Sequence, residues 1–507
     1  MATVNRAEPV WDDIVVGGGS SGCVLAARLA ERPDRRVLLL EAGRGRTPDG
    51  DRPVLSGANW DLTARVGDAG PQGRSCPYPV GRGLGGSSAV NGALALRGLP
   101  GDFDGWAAAG NDAWGWEQVL PVYAALEADA DFKGPGHGTH GPLPIRRTPA
   151  AELVPLAGAF LRAAAALGLP GAADLNSSEG AVGAGPVPLN AVGRRRVSAA
   201  DAYLRPALDR PNLTVWTDCE VRDVRIAGGR VTGVNAVRAG TPVTPRAGRV
   251  TLTAGAVNTA CLLLRSGIGP AGELAAQGIR PVADLPGVGR GLTDHPIVAL
   301  WAVTAPDGTD PDQPMHQVLA RVSSTGAAVP DLNLTLVNTL AGLEVPGAAA
   351  VLRGRPAMSL HATLLRPRSR GGVTLRDGKP VITLRLATDP DDVTALMSGI
   401  RRVWELAGHP ELAGRLDRVL MWTDRMIGTD TLLRRAVTSF VAPAWHPVGT
   451  ARMGPDGDAG AVVDQRLAVR GVRGLHVADA SVMPAMPSAP TNLTCLMIAE
   501  RAAAWMC

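Results

Sequence analysis

The chain has 507 residues, 45% hydrophobic and 19% charged, with a formal net charge of +4 spread along its length. That composition supports a large buried core, and the length fits about three domains or two intertwined ones. The arginine run at 194–196 reads as a solvated loop, so no nucleic-acid partner is expected. The six cysteines, Cys23, Cys76, Cys219, Cys261, Cys495 and Cys507, form no Cys-x-x-Cys pair and have no clustered histidines beside them, which argues against a disulfide framework and against any metal site. The start carries Arg6, Glu8, Asp12 and Asp13 and lacks the apolar segment of a secretory signal. The apolar stretches 153–169 and 493–506 are broken by Arg162 and by Glu500 with Arg501, too early for a transmembrane segment. The expected location is cytoplasmic, with peripheral contact at the inner face of the membrane left open.

Residues 14–16 form a short apolar run that passes into Gly17-Gly18-Gly19-Ser20-Ser21-Gly22, and an alanine-rich helical pattern follows over 24–29. This is strand, glycine turn, helix. A second apolar run, 37–40, ends in Glu41 near the tip of the neighbouring strand, which completes a dinucleotide-binding unit. Gly17 permits the tight turn, Gly19 lets the backbone approach a pyrophosphate, and Gly22 lets helix and strand pack closely. Backbone N–H groups at the helix start, Ser20 and Ser21, then face the anion. Glu41 is placed to accept hydrogen bonds from the ribose hydroxyls. The fingerprint does not separate NAD from FAD.

Residues 249–253 read as a strand running into Ala254-Gly255-Ala256, and 474–478 as another running into Asp479-Ala480-Ser481. Both read as returns of the chain to the nucleotide domain after excursions. Between them, 330–340 alternates Leu332, Leu334 and Leu336 against Asn333 and Thr335, and 358–365 and 381–386 also read as strands. Period-two patterning predicts an antiparallel sheet with one wet face. The expected fold is α/β, with a discontinuous Rossmann-like nucleotide domain (1–140, 194–293 and 441–507) and a substrate domain on an antiparallel sheet (141–193 and 294–440).

The stretch Gly-Arg-Gly-Leu-Gly-Gly-Ser-Ser-Ala-Val-Asn-Gly over 81–92 resembles the first signature of the glucose-methanol-choline (GMC) oxidoreductases. It is followed by Asp-Phe-Asp-Gly-Trp at 102–106 and Gly-Asn-Asp-Ala-Trp-Gly-Trp at 110–116, and segments 193–205, 212–215, 255–269, 287–296 and 366–371 are similar to further parts of that family. The resemblance covers nearly the whole chain. It implies the GMC fold and FAD as cofactor, with Gly86, Ser87, Asn91 and Gly92 along the flavin and Val221, Asp479 and Ala480 completing the cofactor contacts. A covalently flavinylated relative has histidine at the position of Val90; valine cannot form that link, so the FAD is expected to be non-covalent. The second signature departs from the usual pattern at Ala260.

Trp445-His446-Pro-Val-Gly-Thr450, with Arg452-Met453-Gly454, resembles the segment carrying the family's active-site histidine. The resemblance makes His446 the general base and Asn492 its partner, within Ser-Ala-Pro-Thr-Asn-Leu-Thr at 488–494, which departs from the common form at Ala489 and Pro490. Imidazole, with an ordinary pKa near 6.5, suits removal of an alcohol proton at neutral pH, and an amide donor can hold the developing alkoxide. His295, in Asp294-His-Pro296, is read as structural, and His137, His140 and His409 as surface or structural.

The implied reaction is oxidation of an alcohol with hydride transfer to flavin N5 and electrons passed to a quinone, carrier or oxygen. The same resemblance carries an alternative, a lyase or photodecarboxylase on this fold. Between 294 and 441 the aromatic residues are few (Trp301, Trp404, Trp422, Phe440), so a cation–π cage for choline is not indicated, and a hydrophobic or cofactor-like alcohol is favoured over a free sugar.

Overall fold

A computed structural model describes residues 10–45, 57–67, 73–177, 182–305, 308–310, 312–340 and 352–507. Arg6 and Glu8 of the amino-terminal reading lie outside the described residues. Strand β1 (Val10–Val16) pairs in parallel with β2 (Val37–Leu40), which pairs in parallel with β3 (Leu213–Trp216). On its other side β1 takes β4 (Arg246–Leu252), and β4 takes β5 (Leu475–Val477), again in parallel. The sheet order is therefore β3-β2-β1-β4-β5, assembled from widely separated parts of the chain. Parallel strands covered on both faces need apolar side chains at successive positions, and all four residues of β2 are buried. That is why the runs at 14–16 and 37–40 stand out in the sequence.

Helix α1 (Ser20–Leu29) follows the glycine turn. A Cβ on Gly22 would sit 1.8 Å from the Gly17 carbonyl oxygen, so no other residue fits where helix meets strand. Helix α2 (Gly255–Arg265) follows β4 in the same manner.

The second sheet is antiparallel and runs Leu416–Leu420, Pro296–Thr304, Ala357–Leu364, Leu332–Val337, Val318–Val322, Gly183–Pro186, with Ala442–Pro443 also paired to Pro296–Thr304. The expected wet face is not found: every residue of Leu332–Val337 is buried. Leu332 and Ala362 lie against Gly399 of helix α3 (Pro390–Gly408), and the polar alternates Asn333 and Thr335 line an internal cavity. The alternation separates a helix side from a cavity side. A second correction concerns 381–386. The strand there is Lys379–Thr383, and it belongs to a separate five-stranded sheet in which it pairs with Gly371–Arg376 and Thr63–Val66.

The last helix, α4 (Asn492–Met506), packs on α1: Ser21 Oγ donates to Cys495 O at 3.1 Å, and Arg28 pairs with Glu500 at 2.9 Å. Its first turn is thereby brought beside the glycine turn. Among the described residues no helix is long and apolar enough to cross a membrane.

Candidate active site

A cavity of ≈ 440 Å³ lies between the two sheets. Gly17, Gly19, Ser20, Ser21, Glu41, Gly86, Ser87, Asn91, Gly92, Val221, Asp479, Ala480, His446 and Asn492 all line it. Gly22 sits behind this wall as a packing residue.

The two glycine-rich segments meet directly, since a Cβ on Gly86 would lie 2.7 Å from Gly19 Cα. Glu41 joins them electrostatically. Its Oε2 accepts from Gly18 N at 2.8 Å, and its Oε1 accepts from Gly43 N at 2.7 Å and Gly83 N at 2.9 Å. Burial raises its pKa against the opposing pull of these three donors. Glu41 is thus a brace between the loops, with one lone-pair direction on Oε2 that takes no donor from the described residues.

Asp479 lines the cavity with its carboxylate engaged by the protein. Its Oδ2 accepts from Gly255 N (2.8 Å) and Thr259 Oγ1 (2.6 Å), and its Oδ1 accepts from Ser481 N (2.8 Å) and Ser481 Oγ (2.6 Å). Four protein donors fill the carboxylate, which caps the start of α2 and fixes the cavity wall.

The arginine run is not uniformly solvated. Arg194 and Arg195 are exposed, but Arg196 is buried and donates to the carbonyls of Ala89 and Asn91. It pins the segment that carries Ser87 and Asn91.

His446 is half-buried, with His295, Ala444 and Pro447 around it in the cavity lining. The preceding Trp445 adopts a left-handed backbone (φ 61°) and is 43% exposed. A bulky residue there stores roughly 1–3 kcal/mol of strain, which the surrounding contacts must overcome. Those contacts come from the Asp294-His295 pair. Ala444 N donates to His295 O at 3.0 Å, His446 N donates to Asp294 Oδ1 at 2.9 Å, and the two imidazoles meet Nδ1 to Nδ1 at 3.0 Å. Tyr78 OH donates to the second oxygen of Asp294, and burial pushes the Asp294 carboxyl up to about 7. His295 is thus part of the site, which corrects its reading as merely structural. Burial, and then the neighbouring His295, hold the His446 imidazole well below its ordinary range, so it is neutral.

Asn492 opens α4, and its Oδ1 is buried without a hydrogen-bond partner in the protein. In the antiparallel sheet, register pairs Asn333 with Thr363 and Thr335 with His361, and His316 stands near Gly92. These five groups face the same cavity.

Away from it, Glu127, Asp129 and His137 have the spacing of a metal site. Their charge is already balanced. Arg97 pairs with Glu127, Arg147 bridges Asp129 and Asp174, and His137 lies 3.0–3.2 Å from all three carboxylates. Hydrogen bonds to Asp129, Asp174 and Glu127 raise the His137 pKa to about 10, so a cation would have to displace a proton held against three anions.

Comparison with known proteins matches the GMC oxidoreductase amino-terminal model to residues 11–297 and the carboxy-terminal model to residues 367–499. The chain belongs to the GMC oxidoreductase family. Among its GMC relatives, a 5-(hydroxymethyl)furfural oxidase of Methylovorus sp. is 37% identical, with 98% of each chain covered. A choline oxidase of Arthrobacter globiformis is 34% identical over 98% of this chain and 94% of its own. The crystal structure of pyridoxine 4-oxidase from Mesorbium loti superposes with a TM-score of 0.88 at 33% identity, covering 98% and 99% of the two chains.

The GMC fold is an FAD-binding fold, and this cavity fits that cofactor. Glycine backbones and the starts of α1 and α4 face it, supplying N–H groups and positive dipole ends for anionic groups, and the orphaned Asn492 Oδ1 awaits a donor. Sequence reasoning missed His295, Arg196 and the polar wall. The Asp294-His295-Pro296 motif was the available signal for the first; the other two are set by strand register and a long-range contact.

Proposed function

We propose that this GMC oxidoreductase oxidises a small neutral alcohol bearing a second hydrogen-bonding group, by proton abstraction at His446 with hydride transfer to a non-covalently held FAD. The observation that carries this reading is the presence of neutral His446 and the amide of Asn492 in one cavity that is also lined by polar residues of the antiparallel sheet. FAD bound here would supply the hydride acceptor. His446 takes the hydroxyl proton, worth typically 10²–10⁴ in rate. Asn492 donates to the oxygen as its charge develops. The alcohol carbon loses hydride, and the product is the carbonyl compound. Val90 lines the cavity and offers no nucleophile for a flavin bond.

The substrate class follows from the wall. His316, Asn333, Thr335, His361 and Thr363 present donors and acceptors, and burial pushes His316 and His361 down to about 4, so both are neutral. Among the described residues the lining holds three carboxylates, Glu41, Glu220 and Asp479, none of them on this wall, and two non-histidine aromatics, Trp60 and Trp445. A quaternary ammonium substrate would find neither an anion nor an aromatic cage there. A neutral ring compound with a hydroxymethyl group fits better, and the names of the 5-(hydroxymethyl)furfural and pyridoxine oxidases point the same way.

The test is anaerobic absorbance of the flavin-loaded protein during addition of an alcohol panel, then air or a quinone mimic. Hydroxymethyl arenes should bleach the flavin band and choline should not, and the reoxidant separates oxygen from a quinone or carrier as acceptor. His446→Ala should keep the yellow cofactor and lose reduction. A flavin that no alcohol bleaches would overturn the proposal in favour of a lyase or photodecarboxylase.

A further inference from the structure

His295 is buried to 1% exposure, and its Nε2 lies 3.0 Å from Pro487 O and 3.1 Å from Leu365 O. Carbonyl oxygens only accept, so this nitrogen carries the hydrogen. Burial keeps the ring neutral by pushing its pKa down to about 4, which leaves Nδ1 as a bare lone pair. That lone pair stands 3.0 Å from Nδ1 of His446. Two lone pairs would repel at this distance, so the His446 Nδ1 must be the donor. A neutral imidazole carries one N–H, and the remaining nitrogen of His446, Nε2, therefore holds the free electron pair.

We propose that His295 is a positioning residue that locks His446 in its Nδ1–H tautomer, so that Nε2 of His446 is the atom that receives the substrate proton. The inference rests on the reading of His446 as base and assigns the atom and the device that sets it. The device is a relay of three links: two backbone carbonyls, one imidazole and then the base. Leu365 follows the strand Ala357–Leu364, and Pro487 precedes α4. The substrate-side sheet and the segment leading to Asn492 thus jointly determine which nitrogen is basic.

A neutral imidazole in this role also differs from a carboxylate. When Nε2 takes a proton, Nδ1–H goes on donating to His295, and among the described residues no carboxylate hydrogen-bonds that ring to trap the imidazolium as an ion pair. The Asp294 carboxyl is engaged instead by the His446 backbone N–H and by Tyr78. Proton release to the medium is correspondingly easy, which suits a base that must reset each turnover.

The experiment uses flavin-loaded wild type, His295→Leu, His295→Asn and His446→Gln. Histidine-¹⁵N long-range correlation spectra, with the His446 signals assigned by their loss in His446→Gln, should show the Nδ1–H form in wild type. His295→Leu should lose that pattern, and the limiting rate of anaerobic flavin reduction should fall about tenfold to a hundredfold, less than the roughly 10⁴ of a triad forced into the wrong tautomer. Its flavin content and half-saturating alcohol concentration should stay near wild type. In His295→Asn the amide oxygen stands where Nδ1 was and accepts the same hydrogen, so the rate should recover to within a few fold. Should the leucine variant fail to fold, the asparagine variant and the wild-type spectrum still decide. An Nε2–H form in wild type, or wild-type reduction and pH profile in His295→Leu, overturns the proposal. Normal reduction by His446→Gln would instead remove the base assignment on which it stands.

Discussion

Ser488 donates twice to Asp102, from its backbone N–H to Oδ2 and from its hydroxyl to Oδ1, both at 2.7 Å. The same Oδ2 accepts Leu99 N at 2.7 Å, at the start of the helix Pro100–Ala108. This buried carboxylate therefore ties the element after the first glycine-serine signature to the segment that ends in Asn492. Asp102→Ala leaves three buried donors unpaired and should cost roughly 2–4 kcal/mol, at about 1–3 kcal/mol per strongly buried group with partial relaxation. Thermal melting of the apoprotein measures that loss, and flavin reduction should slow with it because Asn492 is less firmly placed.

Glu41 predicts a different split. Glu41→Ala frees Gly18, Gly43 and Gly83 N–H groups together, so both the loop brace and a ribose acceptor are lost. FAD should be retained at least tenfold more weakly, an order of magnitude set by loss of one charge-assisted hydrogen bond and loop disorder. Glu41→Gln keeps two acceptor directions and should fall between. The flavin-to-protein absorbance ratio after gel filtration reads the order directly.

The network around His137 gives a pH dependence whose sign is fixed. His137 is raised in the folded protein to about 10, so its contribution is complete below its ordinary value near 6.5 and is lost as pH rises toward 10. Asp129 and Asp174 are lowered, against burial, chiefly by hydrogen bonds from His137. Their contribution is complete above about 3.9 and is lost as pH falls below that value. The network is thus strongest between about pH 4 and 6.5. His137→Gln should lower the melting temperature most in that window and least near pH 10; an equal loss at both would contradict the charged form.

Asn492→Ala should reduce the limiting rate of flavin reduction by about 10²–10³, the usual cost of one donor to a developing oxyanion. Since His446 is held below its ordinary pKa, the loss of rate on the acid side should lie below about pH 6.5 in both wild type and this variant. A wild-type rate in Asn492→Ala would remove the oxyanion role.

Much of the fold was legible because its decisive signals are local. Buried parallel strands at 14–16 and 37–40 need consecutive apolar residues, and Gly22 must lack a side chain because the Gly17 carbonyl occupies its place. The family motifs likewise identified His446, Asn492 and the glycine-serine stretch, all of which line one cavity. The alternation at 330–340 carried the strand correctly but not its environment, because a polar row facing a cavity has the same period as one facing bulk water.

The sequence by itself determined the nucleotide-binding sheet, the family and the residues that line the cavity together, since each rests on a short pattern of side-chain size and polarity. Only the tertiary structure decided that His295 touches His446 across 151 positions of chain, that Arg196 is buried against the Ala89 and Asn91 carbonyls, and that the Asp479 carboxylate is filled by the protein. Those facts depend on which groups remain unpaired once strands are in register, and a hydrogen bond between distant residues leaves no periodic mark in either segment.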